Sequence, residues 1–182
     1  MTFAIPQSWA KYLLLALTAM FFTSCATGSQ ASREHKVQRK DSAEEKCLRQ
    51  QVVNYARLYL NKPYRKGGKD QRGFDCSGFV GYVLRNYNIP MAASAQEMYK
   101  EGVEVDIEKV KPGDIVFFGA RNRMNHVGII TERSGKALMM IHSSSSRGVI
   151  EEDIHKSDYW LKRLQGVHSL MSYPRLKDTA SK

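Results

Sequence analysis

Three residues of this chain have the types and order needed for nucleophilic catalysis: Cys76, His126 and His142. Cys76 follows Asp75 where a run of helical periodicity begins, so its sulfur is predicted to lie at the N-terminus of a helix. The positive end of the helix dipole and the unpaired backbone N–H groups there favour a thiolate, and the same N–H groups can bind an oxyanion. The pattern therefore predicts a cysteine nucleophile with part of an oxyanion hole beside it.

The two histidines are predicted to lie on neighbouring strands that a short hairpin joins. The intervening Arg-Ser-Gly fits a three-residue loop with Gly135 in its left-handed position. This loop pairs Glu132 with Lys136. His126 then lies directly opposite His142 on one face of the sheet, close enough for a hydrogen bond between the rings. A two-residue loop would place the rings on opposite faces, because a one-residue slip inverts every side chain.

The three residues divide the chemistry between them. His126 would take the proton of Cys76 and deliver it to the leaving amine, while His142 would hold the first imidazole in one tautomer. Such a triad needs no metal ion or organic cofactor. The alternative is that Cys76 is a small buried apolar residue and that both histidines make ordinary hydrogen bonds in strands. Spacing alone leaves both interpretations open.

The elements that would position these residues are helical first and extended afterwards. Apolar residues recur every three or four positions over residues 44–61, a second helical stripe begins at Cys76, and residues 94–97 have capping-box spacing. Short segments rich in Val, Ile, Phe and Met predict strands at residues 114–118, 126–131, 137–142, 149–153 and 166–173. This order indicates an α+β domain whose helices pack on an antiparallel sheet.

Several motifs follow one another along the chain. They are D-C-S-G-F-V at residues 75–80, H-V-G-I at 126–129 and I-H-S at 141–143, with P-Y-R-K-G-G at 63–68 and P-G-D-I-V-F-F at 112–118. Together they resemble the NlpC family of papain-like bacterial cell-wall cysteine peptidases. The resemblance implies a papain-like fold with the nucleophile at a helix N-terminus, and a catalytic triad on Cys76, His126 and His142.

The resemblance also implies which residues contact the substrate. Tyr64 matches a family tyrosine whose hydroxyl assists the oxyanion hole, beside the backbone at Cys76 and Ser77; a core tyrosine is the alternative. Asp75 and Ser77 match residues that contact the substrate amine in some members. Many relatives carry a polar residue where this chain has Ala92, so the alternative that Asp75 only caps its helix stays open.

The family hydrolyses peptidoglycan stem peptides, typically between γ-D-glutamyl and a diamino acid such as meso-diaminopimelate. The resemblance therefore implies an endopeptidase with an acyl-enzyme on Cys76 and stem peptides as its partner. Two alternatives remain: acyl transfer on the same scaffold, and a wall-binding lipoprotein without catalysis. The sequence leaves open which stem peptide or cross-link is cleaved, and the oligomeric state.

The N-terminal residues predict export and a lipid anchor. An uncharged apolar run at residues 12–22 is too short to span a bilayer and is typical of a signal peptide. The T-S-C-A that follows resembles a bacterial lipoprotein signal, in which Cys25 would be acylated; an ordinary signal peptide is the alternative. The absence of Asp after Cys25 favours the outer membrane of a Gram-negative bacterium, facing the periplasm. We expect a signal peptide at 1–24, a flexible tether at 25–44, the peptidase domain at 45–173 and a disordered tail at 174–182.

Composition excludes several other classes of protein. The formal net charge of +10 fits an anionic wall polymer or lipid surface, and the basic residues form no stripe with aromatic residues that would indicate nucleic acid. Three cysteines without ligand spacing exclude a zinc knuckle or a disulfide framework. Cys47 is expected to be a half-buried structural thiol, His155 and His168 to be structural or solvated, and the serines at 143–146 to form a turn.

Overall fold

The computed structural model describes residues 27–121 and 123–170, with side chains from residue 42 onward. The predicted signal peptide, Cys25 and the predicted tail lie outside these residues. The chain divides into two compact units, Met1–Glu44 and Glu45–Lys182. No helix of the described part is long and apolar enough to cross a membrane.

The segment expected to be a flexible tether is helical. Helix α1 spans Thr27–Arg57 and thus includes most of the segment for which a tether is predicted. The stretch lacks the apolar residues of a core helix, but Gln, Lys, Arg, Glu and Ala all favour helix. A lack of large apolar residues therefore does not decide whether a polar segment is helical. The helix also ends at Arg57, before the predicted end at Asn61.

The described residues of the second unit form three shorter helices and eight strands. The helices are α2 (Cys76–Arg85), α3 (Ala95–Met98) and α4 (Asp158–Leu161), and short 3-10 turns lie at Ile107–Lys109 and Ile154–Lys156. The strands are β1 (Lys69–Asp70), β2 (Gly73–Phe74), β3 (Val103–Val105), β4 (Ile115–Ala120), β5 (Arg123–Ser134), β6 (Ala137–Ser144), β7 (Gly148–Asp153) and β8 (Leu164–Ser169). Strands β4 to β8 are the five predicted ones; β1, β2 and β3 were not predicted.

The main sheet is antiparallel, with strand order β3-β8-β4-β5-β6-β7, and β1 and β2 form a separate hairpin. Strand β4 is central and buried on both faces. Its residues Ile115 and Phe117 join the apolar cluster that also contains residues of α1 and α2, whereas Val116 and Phe118 join a second cluster that contains Trp160. Burial on both faces explains the continuous apolar run of β4. The α+β class and the antiparallel sheet are confirmed.

The hairpin between β5 and β6 has a shorter loop than predicted. Ser134 pairs with Ala137, so only two residues lie in the turn, and the three-residue loop is wrong. Gly135 has a positive φ of 54°, as such a tight turn requires. Taken alone, a two-residue loop would put His126 and His142 on opposite faces of the sheet.

A β-bulge at Thr131 reverses this effect. The pairing of β5 with β6 shifts by one residue there, which returns His126 and His142 to the same face. In the shifted register His142 lies across from Gly128, whose missing side chain leaves room: a Cβ there would be 3.2 Å from the His142 Cβ. His126 lies two residues further along β5. The histidines are therefore diagonal neighbours, not the directly opposite pair that the sequence predicted.

Candidate active site

Cys76 is the first residue of α2, as predicted. Asp75 caps this helix: its Oδ1 accepts hydrogen bonds from the Gly78 N–H at 2.6 Å and from the Ser77 hydroxyl at 3.0 Å. Gly78 is required because the preceding loop passes very close, and a Cβ on it would lie 2.0 Å from the Gly68 carbonyl oxygen. The motif D-C-S-G thus holds the cysteine at a rigid junction between loop and helix.

The Cys76 thiol is protonated at neutral pH. Its sulfur lies 4.0 Å from the carbonyl oxygen of Asn125. Burial and the negative charge of Asp75 raise the pKa of the thiol above its ordinary value, against the opposing effect of the backbone N–H groups of Ser77 and Val127. The helix N-terminus alone therefore does not supply a thiolate. The nucleophile needs a base.

The two predicted histidines are in direct contact. His126 Nε2 and His142 Nδ1 are 2.7 Å apart, and the ring planes are nearly perpendicular at 85°. His142 is fully buried, whereas His126 is half-buried. The predicted contact between the rings is confirmed, although loop and register differ from the prediction. The other ring nitrogen of His126, Nδ1, takes no part in this contact.

The second ring nitrogen of His142 is bonded to a carboxylate that the sequence analysis missed. His142 Nε2 lies 2.9 Å from Glu152 Oε1, which also accepts from the Trp160 indole at 2.8 Å. Arg147 donates to the other oxygen of Glu152 at 2.6 Å. Pairing the predicted strands would have revealed this contact, because His142 pairs with Ile150, and position 152 lies on the same face as 150.

The charge states of the site follow from these contacts. Burial and the neighbouring His142 lower the pKa of His126 to about 3, and burial lowers the pKa of His142 below its usual range; Glu152 opposes both shifts. Burial raises the pKa of Glu152, but hydrogen bonds from Arg147, Trp160 and His142 outweigh it and hold that pKa below its ordinary value. At neutral pH both imidazoles are neutral and Glu152 is ionised.

A cleft of about 480 Å³ contains Cys76 and His126. Tyr64, predicted to assist the oxyanion hole, lines the same cleft, and burial together with the charges of Cys76 and Asp75 raises the pKa of its phenol. Its hydroxyl is therefore protonated and able to donate a hydrogen bond. The serine run is more than a turn: Ser143 and Ser144 belong to β6, and residues 144–146 line the cleft.

The predicted substrate contacts of Asp75 and Ser77 stay predictions. Both side chains are engaged inside the protein, because the Ser77 hydroxyl donates to Asp75 Oδ1 and also lies 3.1 Å from the Ala93 carbonyl oxygen. These contacts support the alternative that Asp75 serves as a helix cap.

The remaining sequence candidates lie outside the cleft. Cys47 is exposed, so its prediction as a half-buried thiol is wrong. His168 is buried against Tyr99 and bonded to the Glu101 carbonyl oxygen, and His155 is exposed, as expected for structural or solvated histidines. Within residues 27–121 and 123–170, no group of three or more His, Cys, Asp or Glu side chains is arranged to hold a metal ion.

Two known proteins are similar to the chain over most of its length. The γ-DL-glutamyl hydrolase of Bacillus subtilis (strain 168) is 29% identical over 175 residues, which cover 94% of this chain but only 39% of that protein. The murein DD-endopeptidase MepS/murein LD-carboxypeptidase of Escherichia coli (strain K12) is 26% identical over 187 residues, covering 91% of this chain and 97% of that protein. The chain thus spans about two fifths of the first relative and nearly all of the second.

The fold and the family model agree with these similarities. The crystal structure of an NlpC/P60 family protein from Bacillus cereus ATCC 10987 matches with a TM-score of 0.63 at 24% identity, over 68% of this chain and 40% of that one. The model of the NlpC/P60 family matches residues 61–169, more than half of the chain, and this match includes Tyr64, Cys76, His126 and His142. The chain therefore belongs to the NlpC/P60 family.

Proposed function

We propose that the protein is a cysteine endopeptidase that hydrolyses peptidoglycan stem peptides through an acyl-enzyme on Cys76. The observation that carries this proposal is the shared cleft of Cys76 and His126, with the His126 ring bonded to His142 at 2.7 Å. Family membership, and the names of a glutamyl hydrolase and a murein endopeptidase among its relatives, support the substrate class.

The first half of the reaction forms a thioester. His126 Nδ1 accepts the proton of Cys76, the sulfur attacks the carbonyl carbon of the scissile amide, and the carbonyl oxygen becomes an oxyanion. The backbone N–H groups of Cys76 and Ser77 and the hydroxyl of Tyr64 are the donors proposed for that oxyanion. Protonated His126 then delivers its proton to the amide nitrogen, the C–N bond breaks, and the amine leaves.

The second half restores the thiol. His126 takes a proton from water, and the resulting hydroxide attacks the thioester carbon. The C–S bond then breaks, protonated His126 returns its proton to the sulfur, and the product leaves as a carboxylic acid that ionises in water. In the resting state the thiol and both imidazoles are neutral, because the pKa of Cys76 is raised and that of His126 is lowered. The proton therefore stays on the sulfur in the resting state and must pass to His126 for the thiolate to form.

Two bonds are candidates for cleavage. The γ-D-glutamyl bond to the diamino acid is the first candidate, supported by the family resemblance and the name of the Bacillus relative. The D,D cross-link between two stem peptides is the second, because the murein DD-endopeptidase matches this chain over nearly its whole length. The internal bonding of Asp75 and Ser77 favours cleavage within a longer peptide over recognition of a free N-terminus.

Defined muropeptides would test these candidates. The full chain in detergent, beside Cys76→Ala, is incubated with a disaccharide tetrapeptide and with its D,D-cross-linked dimer, and products are read by mass spectrometry. Cleavage of the γ-glutamyl bond releases a disaccharide dipeptide, whereas cleavage of the cross-link converts dimers to monomers, each with the gain of one water. A product joined to an added amine instead of water indicates acyl transfer. If parent and Cys76→Ala leave both substrates intact, the enzyme proposal fails.

We also propose that the chain is exported and anchored to the outer membrane through acylated Cys25. The apolar run at residues 12–22 and the T-S-C-A that follows it support this proposal. Metabolic labelling with a radioactive fatty acid should label the parent chain but not Cys25→Ser, and fractionation should recover the label with outer membranes. An unlabelled parent chain would overturn the anchor, and label in the inner membrane would overturn the location.

A further inference from the structure

The carboxylate of Glu152 is surrounded by hydrogen-bond donors. Oε1 lies 2.9 Å from His142 Nε2 and 2.8 Å from the Trp160 indole nitrogen, and Oε2 lies 2.6 Å from the Arg147 guanidinium. An ionised carboxylate can only accept hydrogen bonds, and it accepts bonds here from two side chains that can only donate. His142 Nε2 must therefore carry a hydrogen.

This one constraint determines the hydrogen positions on both rings. A neutral imidazole carries a single N–H, so Nδ1 of His142 is bare and acts as an acceptor. His126 Nε2, 2.7 Å away, must then be the donor. Neutral His126 consequently has a bare Nδ1, the nitrogen left for Cys76. Without a partner at His142 Nε2, the opposite tautomers satisfy the same contact: His142 Nδ1 carries the hydrogen and donates it to His126 Nε2. His126 Nδ1 then carries a hydrogen and has no lone pair for the thiol proton.

We propose that Glu152 is a positioning residue that fixes the tautomers of His142 and His126, so that His126 offers a free lone pair to Cys76. This inference rests on the proposed peptidase function for its catalytic consequence, but not for the tautomers themselves. Glu152 acts through His142 and does not need to touch the reacting atoms.

The surroundings of Glu152 suit this role. Trp160 stacks on the His126 ring, with centroids 4.9 Å apart and planes at 26°, and also meets the edge of His142 at 5.1 Å. Trp160 therefore covers part of both imidazole rings and also donates a hydrogen bond to Glu152 Oε1. When His126 takes the proton of Cys76, the positive charge that forms is stabilised by Glu152, and Arg147 opposes this because its charge lowers the pKa of His142.

The chain provides a matched control in Glu151. The side chains of Glu151 and Glu152 are 20% and 21% exposed, and each is paired with an arginine, Arg57 or Arg147. Glu151 bonds Arg57 and Thr131 instead of His142. We call the bonded chain of His126, His142 and Glu152 the histidine relay. Glu151→Gln and Glu152→Gln therefore remove the same charge from neighbouring positions, and only one of them faces His142.

The decisive measurement is ¹⁵N NMR of histidine-labelled protein at neutral pH, which distinguishes bare from protonated ring nitrogens. We expect the parent and Glu151→Gln to show a bare Nδ1 and a protonated Nε2 on His126. In Glu152→Gln this single pattern should be lost, because a side-chain amide presents either an acceptor or a donor to His142. A parent protein with the reverse tautomers overturns the proposal, and this holds even if Glu152→Gln does not fold.

Kinetics supply the second measurement. Glu152→Gln should lower kcat with little change in KM, by about 10–100-fold, less than the roughly 10⁴-fold cost of losing the orienting carboxylate of a Ser-His-Asp triad, because a second imidazole intervenes here. Values of kcat for Glu152→Gln and Glu151→Gln within about twofold of each other would overturn the catalytic consequence. If the parent cleaves no muropeptide, the peptidase proposal fails, while the tautomers still decide the role of Glu152.

Discussion

Glu151 and Glu152 are neighbours on β7 and yet serve two different regions of the molecule. Both are carboxylates of similar exposure, paired with arginines. Glu151 faces the α1 side of the sheet, where it bonds Arg57 and the bulge residue Thr131. Glu152 faces the histidine relay. The Glu151–Arg57 pair therefore serves packing, whereas the Glu152–Arg147 pair serves proton positioning. The difference comes from the residues that each side of β7 faces.

The two faces are also linked. Thr131 is the extra residue that brings His126 and His142 to one face, and its hydroxyl donates to Glu151 at 2.5 Å. The packing face therefore holds the bulge on which the catalytic register depends. Substitutions on the packing face should change stability, those on the relay face should change activity, and the bulge should be sensitive in both respects.

The largest effect is expected from removal of the proposed nucleophile, Cys76. Cys76→Ala should lower kcat/KM on a susceptible muropeptide by about 10⁴-fold or more, because the nucleophile is lost. The melting temperature should stay within a few degrees of the parent value, since the change removes one sulfur atom and leaves the Asp75 cap in place. Turnover by mass spectrometry and thermal unfolding by circular dichroism test both expectations. Residual turnover above one per cent would assign the nucleophile elsewhere.

Deleting Thr131 should nearly abolish activity for a geometric reason. Without the extra residue, the two-residue loop puts His126 and His142 on opposite faces of the sheet, and the contact between their rings is lost. Adding one glycine after Gly135 to the deleted chain lengthens the loop to three residues and should restore the shared face. We expect activity of the double variant to exceed that of the deletion by at least tenfold. Equal activities would show that the bulge does not set the register.

The sequence predicted the histidine contact through two errors that cancel. A three-residue loop without a bulge and a two-residue loop with one bulge both place His126 and His142 on one face. Alternating apolar residues reveal the strands. A bulge involves contacts such as that of Thr131 with Glu151, which join residues on different strands and leave no pattern in the sequence near Thr131.

The nucleophile and the relay differ in how far the sequence reveals them. Cys76 was predictable because its cap, Asp75, is adjacent and the helix pattern is local. Glu152 was missed because its role depends on two strands, an arginine in a turn and Trp160 on α4 meeting in space. The raised pKa of the Cys76 thiol also could not be predicted from local sequence patterns, because burial of the sulfur is a property of the folded cleft.

On the packing face, Glu151→Gln should lower stability without affecting the chemistry, because the amide oxygen of glutamine can still accept from the Thr131 hydroxyl and the bulge stays in place. The change weakens the bonds to Arg57 and Thr131, and we expect a loss of about 1 kcal/mol in the free energy of unfolding. Urea denaturation measures this loss, and kcat should stay within about twofold of the parent value. A drop in kcat as large as that of Glu152→Gln would show that the two faces are not separable.

The two faces should also differ in their pH dependence. The pKa of His126 falls from 6.5 to about 3 on folding, so the unfolded chain binds a proton that the folded chain does not, and stability is lost as pH falls below 6.5. The slope from this group is at most about 1.4 kcal/mol per pH unit. Glu151 also has a lowered pKa, but it contributes only as pH falls through and below its ordinary value of 4.5. Between pH 6.5 and 5, urea denaturation should therefore show a falling stability in the parent and in Glu151→Gln, and a flatter profile in His126→Asn. Equal slopes in all three proteins would mean that His126 titrates normally in the folded state, and the neutral relay would have to be abandoned.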